Sequence, residues 1–291
     1  RLIAGARVEA ARIAVRTEEV RGTLATARLQ NVDVLPSLVL NYTPREAQNV
    51  RFAVSQTLAR PELRELSPVT VQEVIGDFAF TGFPGLRRTL IQNADLKWEW
   101  FPNSGEVLSV GVFAKRFDGP IERVDQPTST VPFVTVRNAR SAFNYGLEME
   151  ARKNLGFVGG WLAPVSAFAN GTLMRSEIDI GNVDVTAVTN PRRPMVGQAP
   201  YVVNAGLSYS SDDGRGTATL LYNVVGPRIV IAGPLGFPDV YERPRNLVDL
   251  SFRFPMPRSK NLSVRLDARN LLDAPFLLEQ GPLVRERFRM G

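Results

Sequence analysis

The stretch "NLSVRLDARNLLDAP", Asn261 to Pro275, decides the reading of this chain. Leu262, Val264, Leu266 and Ala268 fall on one parity, and Ser263, Arg265, Asp267 and Arg269 on the other. A period of two is that of a β-strand whose faces differ in chemistry. One face requires an apolar medium and the other requires water or ionic partners. The open question is whether the apolar medium is a protein core or a lipid bilayer.

The same alternation recurs along the chain. Val50, Phe52, Val54 and Leu58 oppose Arg51, Ser55 and Thr57; Leu96, Trp98 and Trp100 oppose Asp95, Lys97 and Glu99. Tyr145, Leu147, Met149 and Ala151 oppose Glu148, Glu150 and Arg152. Two further runs, 217–224 and 246–254, behave alike, and weaker ones lie at 2–15, 34–43, 106–117, 162–175 and 200–209. No segment keeps a 3.6 period over three turns. The pattern predicts an all-β chain of about eleven strands, many of about 9–14 residues against a usual mean of about 5–6. A tilted strand needs about 9–11 residues to cross a bilayer.

Composition narrows the function. The 291 residues suffice for one large domain or two ordinary ones, and 44 % of them are apolar. An apolar run of about 18 residues, as a membrane helix needs, does not occur. Cysteine and histidine are both absent, which excludes Ser-His-Asp and Cys-His catalysis within the chain, Cys/His zinc sites and His-ligated haem. Net charge is +6, and apart from Lys97, Lys115, Lys153 and Lys260 every basic residue is arginine. The arginines are scattered and interleaved with carboxylates, so no nucleic-acid partner is expected. Glu148 and Glu150 read as wall charges on a polar strand face rather than a glycosidase pair.

The connections come in two kinds that alternate. Short polar ones are expected at 43–49, 101–106, 153–160, 210–216 and 255–261, each with turn-forming residues. Long ones, rich in Pro and Gly, are expected at 17–32, 60–90, 118–136, 176–198 and 227–245. An up-and-down sheet places each kind at one rim, as outer-membrane barrels do. Tyr42, Trp98, Trp100, Phe101, Phe117, Tyr145, Tyr201, Tyr209, Phe252 and Phe254 sit near strand ends, where an interfacial girdle would lie. These features together favour an antiparallel transmembrane β-barrel. A passive porin, and a soluble carbohydrate-binding β-protein, share the alternation and stay open.

Four stretches in order resemble the barrel of TonB-dependent outer-membrane receptors. "VSQTLARPELREL" (Val54–Leu66) resembles the strand that runs into an Arg-Pro dipeptide, here Arg60 and Pro61, at the external rim. "LSVGVFAKRFDGPIE" (Leu108–Glu122) is similar to the next hairpin strand and its exit. "ARSAFNYGLEMEARKNL" (Ala139–Leu155) resembles the strand with a Gly-Leu-Glu core, Gly146, Leu147 and Glu148. "LSVRLDARNLLDAPF" (Leu262–Phe276) resembles the penultimate strand, ended by Asn270, Leu271, Leu272 and Asp273. The Asn-Pro-x-Leu-x-Pro-Glu segment that many relatives carry before Leu96 is missing from "RTLIQNADLKWEW" (Arg88–Trp100).

The resemblance implies a cell outer-membrane receptor that binds a scarce nutrient, such as a carbohydrate or ferric chelate, and imports it with TonB-coupled energy. No catalysis, bound cofactor or metal is expected. A full family barrel has 22 strands, so residues 1–291 are expected to be its C-terminal part, without plug domain, energy-coupling box or last strand. The chain reads as an excerpt beginning mid-domain, with a strand starting at "RERFRMG" (285–291). Partners would be the TonB complex through the plug, the bilayer and lipopolysaccharide. Candidate ligand contacts are Arg64, Arg87, Arg88, Arg192, Arg193, Phe237, Asp239 and Tyr241, with Asp77, Phe78, Phe80, Phe83, Asp179, Asp184, Arg228 and Arg243 on the same loops. Arginine beside aromatics suits an anionic chelate or a sugar face.

Overall fold

The structure is a computed structural model and describes residues 1–18, 24–72, 79–126, 133–181, 190–211, 213, 215–233, 236–256 and 262–288. In chain order the first strands are β1 (Leu2–Glu18), β2 (Leu24–Tyr42), β3 (Gln48–Ala59), β4 (Thr70–Val71), β5 (Ala79–Thr81), β6 (Thr89–Trp100), β7 (Val107–Asp118), β8 (Ile121–Gln126), β9 (Phe133–Asn138) and β10 (Ser141–Asn154). There follow β11 (Val165–Asp179), β12 (Arg192–Arg193), β13 (Tyr201–Ser210), β14 (Thr217–Val225), β15 (Arg228–Ile231), β16 (Val240–Glu242), β17 (Arg245–Pro255), β18 (Ser263–Ala268), β19 (Phe276–Gln280) and β20 (Leu283–Phe288). One short helix, α1 (Leu63–Leu66), precedes β4.

Eleven strands form one continuous antiparallel wall in the order β1-β2-β3-β6-β7-β10-β11-β13-β14-β17-β18, with β12 added beside the end of β11. Register carries a single parity across it. Trp98, Val110, Met149, Gly171, Val203 and Val224 lie in one row, and Glu99, Ser109, Glu150, Asn170, Asn204 and Asn223 in the next. The first row belongs to the apolar face. Its large side chains are uncovered: Val8 is 66 % exposed, Val112 49 % and Leu266 57 %. A soluble sandwich would bury these residues under a second sheet; among the described residues none covers them. Apolar side chains facing outward along strands of this length form the lipid-facing belt of a membrane barrel.

The second row faces the polar side, where Asn204 donates to Asn170 (2.9 Å) and Asn223 donates to Asn204 (2.7 Å), a cross-strand amide ladder. Two glycines on this face are roofed by a phenylalanine opposite. Phe113 lies over Gly146 and Phe168 over Gly206, and a Cβ at Gly146 would come within 2.8 Å of the Phe113 ring. The Gly-Leu-Glu pattern thus has a steric reason at its first position.

The hairpin β1–β2 corrects an expected boundary. Its strands run to Glu18 and restart at Leu24, well into the 17–32 loop anticipated from sequence. From Leu2 to Ala10 and from Leu40 back to Val32 the outward face is apolar, about the nine residues that a bilayer crossing needs. One row further, at Arg12 opposite Gln30, the chemistry inverts. Arg12, Arg16 and Arg28 now point outward and are exposed, while Ile13, Val15, Ala27 and Leu29 point inward. Of these, Ile13, Val15 and Ala27 join a cluster with Leu66, Leu86 and Val136. The buried core therefore sits above the belt, and the row at Arg12 marks the belt's external edge.

The short strands off the wall lie in the long connections, apart from β19 and β20, which follow β18. β4, β5, β9 and β8 make one small sheet and β15, β16, β19 and β20 another, joined by a bridge between Val124 and Ala232. The strand expected near residue 285 exists as β20, but it pairs with β19 in this rim sheet, outside the wall. The opposite rim has the short connections. That between β10 and β11 differs from the polar turn expected there: it holds two turns of 3-10 helix and exposes Phe157, Val158 and Trp161. It is fastened by Glu106, which accepts from Lys153 (2.8 Å) and from the Asn154 amide (3.2 Å). Tyr42, Trp100, Phe101, Tyr209 and Phe254 end their strands at this rim, and Phe117, Tyr145 and Tyr201 lie near the other. Among the described residues no helix is long and apolar enough to cross a membrane.

Candidate ligand-binding rim

The elaborate rim is built by loops that staple back to the wall. Arg60 of the Arg-Pro pair donates to Glu9 on β1 (2.8 Å), and Pro61 behind it is buried. The Glu62 amide donates to the Glu65 carboxylate (2.9 Å) and holds α1, whose Leu66 fills the core. Arg88 pairs with the buried Asp33 of β2 (2.5 Å). At the far end, Asn270 takes a left-handed φ of 51°, a conformation that asparagine tolerates, and its amide donates to Asp249 (2.8 Å). That turn is what the Asn-Leu-Leu-Asp group encodes.

The two rim sheets meet at a buried charge cluster. Glu122 on β8 accepts from Arg193 on β12 (3.0 Å) and from the Val196 amide (3.2 Å), and both side chains are at most 5 % exposed. The Arg193 Nε is buried and has no acceptor among the described residues. Burial pushes the Glu122 carboxyl up from its usual range; Arg193 and the Val196 amide oppose that, and nearby Asp239 adds to it. Asp239 is itself buried, accepting from the Gly233 amide (2.8 Å) and Asn190 (3.1 Å). Burial also pushes the Tyr241 hydroxyl up, with Asp239 adding and Arg193 opposing. Beside the cluster opens a recess of about 600 Å³ lined by Arg175, Glu177, Arg192, Arg193, Pro200 and Tyr241.

A second group of cations stands on aromatic rings. The Arg64 guanidinium lies 4.8 Å from the centre of the Phe80 ring and that of Arg123 lies 6.0 Å from it. Arg137 stacks 3.7 Å over Phe83, and burial lowers its pKa. An arginine held over an aromatic face presents its edge N–H groups to an anion.

The sequence-predicted contacts divide accordingly. Arg193, Asp239 and Tyr241 come together around Glu122, with Arg192 exposed at the recess. Arg64 joins Phe80, and Phe83 joins Arg137. Arg87 is anchored elsewhere through its backbone amide, which donates to Asn138 (2.9 Å). Arg228 pairs with Glu242, Arg243 with Glu279 and Asp179 with Arg140. Phe237 is 57 % exposed. Asp77, Phe78 and Asp184 lie outside the described residues. Sequence reasoning missed Glu122, Arg123 and Arg137, whose one signal was charge set within the short β-branched runs of β8 and β9. Among the described residues no three acidic side chains gather as metal ligands.

Comparison with solved structures finds the same wall. The ferric enterobactin receptor PfeA from Pseudomonas aeruginosa, in complex with enterobactin, superposes with a TM-score of 0.59 at 18 % identity, over 93 % of this chain and 40 % of that one. The FrpB iron transporter from Neisseria meningitidis gives 0.62 at 13 % identity, over 99 % and 41 %. The copper transporter OprC gives 0.67 at 14 % identity, over 95 % and 40 %. The chain thus spans about 40 % of the length of these proteins. No curated protein sequence matches it. The family profile described as TonB dependent receptor-like, beta-barrel matches residues 1–271. With its outward apolar belt, its polar inner face and that match, the chain belongs to the TonB-dependent receptor β-barrel family of the outer membrane.

Proposed function

We propose that this chain is the C-terminal part of the barrel of an outer-membrane receptor that imports a scarce small molecule with energy coupled through TonB. The observation that carries the reading is the division of labour between the rims. One is trimmed to short connections, and the other is built into two sheets, of which that of β4, β5, β9 and β8 holds cations against aromatics. Rigid external loops over a polar passage suit capture followed by import. The wall has an open edge at β1 and another at β18, which supports its continuation in a longer barrel. A plug domain would link that barrel to the TonB complex. The role is transport, with no reaction catalysed.

The ligand class that the rim favours is an anionic ferric chelate rather than a neutral sugar. Arg64, Arg123 and Arg137 offer charge-assisted donors, and Phe80 and Phe83 offer aromatic faces for a planar ligand. Arg87, Arg88, Arg192, Phe237 and Tyr241 are the further candidate contacts. Lipopolysaccharide of the outer leaflet would surround the wall.

The test is growth under iron limitation of a strain whose only route for a given ferric chelate is the intact receptor. Expected is uptake that requires both the receptor and TonB, with binding weakened about tenfold or more when Arg64 and Arg123 become alanine, roughly two lost charge-assisted contacts. Uptake that persists without TonB would point to a passive porin and contradict the reading.

A further inference from the structure

The inner face of the wall is not uniform. On β10 it carries Glu148, Glu150 and Arg152, and on β17 Arg245, Asp249 and Arg253. Between them, on β11, β13 and β14, no inward residue is charged. The row that begins with Glu99, Ser109 and Glu150 continues there as Asn170, Asn204 and Asn223, the amide ladder. The next inward row toward the trimmed rim is Phe168, Gly206 and Leu221, and the one after it Ser166, Ser208 and Thr219. On the external side of the amides lie Thr172, Val202 and Val225. Polar and largely apolar bands thus alternate down the sector, about 7 Å apart. The hydroxyls of Ser166, Ser208 and Thr219 have no hydrogen-bond partner among the described residues.

Charge decides what such a face can do. A fixed wall charge holds an oppositely charged molecule in place and turns a like one away, and its hydrogen bonds are roughly twice as strong as neutral ones. Passage requires contacts favourable enough to admit a molecule, yet weak and numerous enough to release it. Repeated neutral amides and hydroxyls meet that condition, since they replace the hydration of polar groups without an ion pair. Phe168 lies low over Gly206, where a Cβ would come within 2.5 Å of its ring, and offers an aromatic face between the two polar rows. At the external end of the sector, Met174 and Ser176 of the same face line the recess beside Arg193 and Tyr241.

We propose that the inner face of β11, β13 and β14 is the route by which the captured molecule crosses the barrel. It is a hydrogen-bonding track for an organic ligand with amide, hydroxyl or aromatic groups on its surface. The inference rests on the transport reading and goes beyond it by placing the passage on one sector of the wall. Whatever fills the lumen is held most weakly along this uncharged sector, so a pull from TonB parts it from the wall there first.

The experiment uses the intact receptor in cells, with one thiol introduced at a time, since the chain itself has no cysteine. Asn204→Cys and Ser208→Cys place it in the sector, the second by exchanging a single atom. Ala53→Cys places it on the inner face of β3, at a similar distance from the trimmed rim. The probe is a charged methanethiosulfonate added from outside. With TonB energised, both sector thiols should label about tenfold faster than without it, about 1.4 kcal/mol of preferential opening, and Ala53→Cys should change little. The adduct on Ser208→Cys should stop uptake of the ferric chelate used in the growth test, and the adduct on Ala53→Cys should not. Equal acceleration at all three positions, acceleration at Ala53→Cys alone, none at any of them, or undiminished uptake with the Ser208→Cys adduct overturns the inference and, while import still requires TonB, leaves the transport reading standing. Rapid labelling everywhere without TonB, with uptake equally independent of it, overturns the transport reading and this inference with it.

Discussion

Replacing Arg193 with methionine should open the external rim in a manner that depends on pH, whereas Glu122→Gln should open it without such dependence. The two side chains are 3.0 Å apart and at most 5 % exposed, so each is the other's main compensation for lost hydration. Removing one partner of a buried pair costs about 3–5 kcal/mol, equivalent to about 150- to 5,000-fold in an opening equilibrium. The variants differ because only one survivor can discharge itself. Glu122 without its cation takes up a proton, since burial and Asp239 already raise its pKa above 4.5. A carboxyl whose folded pKa is raised favours the folded rim at low pH, and that advantage fades as pH rises through the folded pKa. Arg193→Met should therefore open further by up to about tenfold per pH unit above 4.5 until Glu122 is fully ionised. A guanidinium is not deprotonated in proteins, so no proton exchange relieves the glutamine variant. Replacing both, Glu122→Leu with Arg193→Met, should return the rim close to wild type, because two apolar groups leave no charge unmatched. Hydrogen exchange at the Ile180 amide of the intact receptor reads the opening, as it is bonded to the Pro191 carbonyl within this connection and keeps that acceptor in every variant. A pH-independent Arg193→Met, or a double variant as open as either single one, would refute the reasoning.

Three further expectations follow from the wall. Val112→Arg places a charge on the lipid face among Leu96, Leu147 and Val110, and should destabilise the folded barrel by about 2–4 kcal/mol, whereas Thr172→Arg on the inner face should cost far less; denaturant unfolding in detergent compares them. Gly146→Val should block assembly, because its branched side chain would collide with the Phe113 ring and the Leu173 carbonyl; adding Phe113→Ala should recover only part of the folded yield, since the carbonyl remains. Lys153 and Asn103 hold the Glu106 carboxyl below its usual 4.5, so its contribution is present above that pH and lost as pH falls through the lowered value. Protection of the Asn154 amide should fade on acidification, and at a higher pH in Lys153→Ala than in wild type.

The wall was legible because opposite media act on its two faces. In β7 and β17 every second residue meets lipid, and the period of two emerges from a handful of side chains. β1 was harder to read: alanines at positions 4, 6, 10, 11 and 14 occupy both parities, and the apolar face changes sides at Arg12. Blurred contrast with inverted polarity looks like the end of a strand, which is why a loop was expected from residue 17. The rim strands β8 and β9 are short; β9 buries groups on both sides, Val134, Thr135 and Val136, and the buried parity of β8 carries the charge of Glu122 beside Val124, so no alternation of polarity marks them. Among the candidate contacts, sequence identified which loops carry arginine beside aromatics. It could not tell Arg192 from Arg193, adjacent and identical in type, where strand parity exposes the first and buries the second against Glu122. Arg123 and Arg137 were invisible for a related reason, since their aromatic partners come from a connection some forty to sixty residues away.

The most direct measurement is a spin-label scan along β7, residues 108 to 115, in the intact receptor in lipid, reading collision with oxygen against a water-soluble nickel complex. The account predicts oxygen exposure at 108, 110, 112 and 114, nickel exposure or protein contact at 109, 111, 113 and 115, and, on β1, a switch of the outward positions from oxygen to nickel between residues 10 and 12. A uniform profile along β7, or labels at 110 and 112 shielded from oxygen by protein, would contradict it.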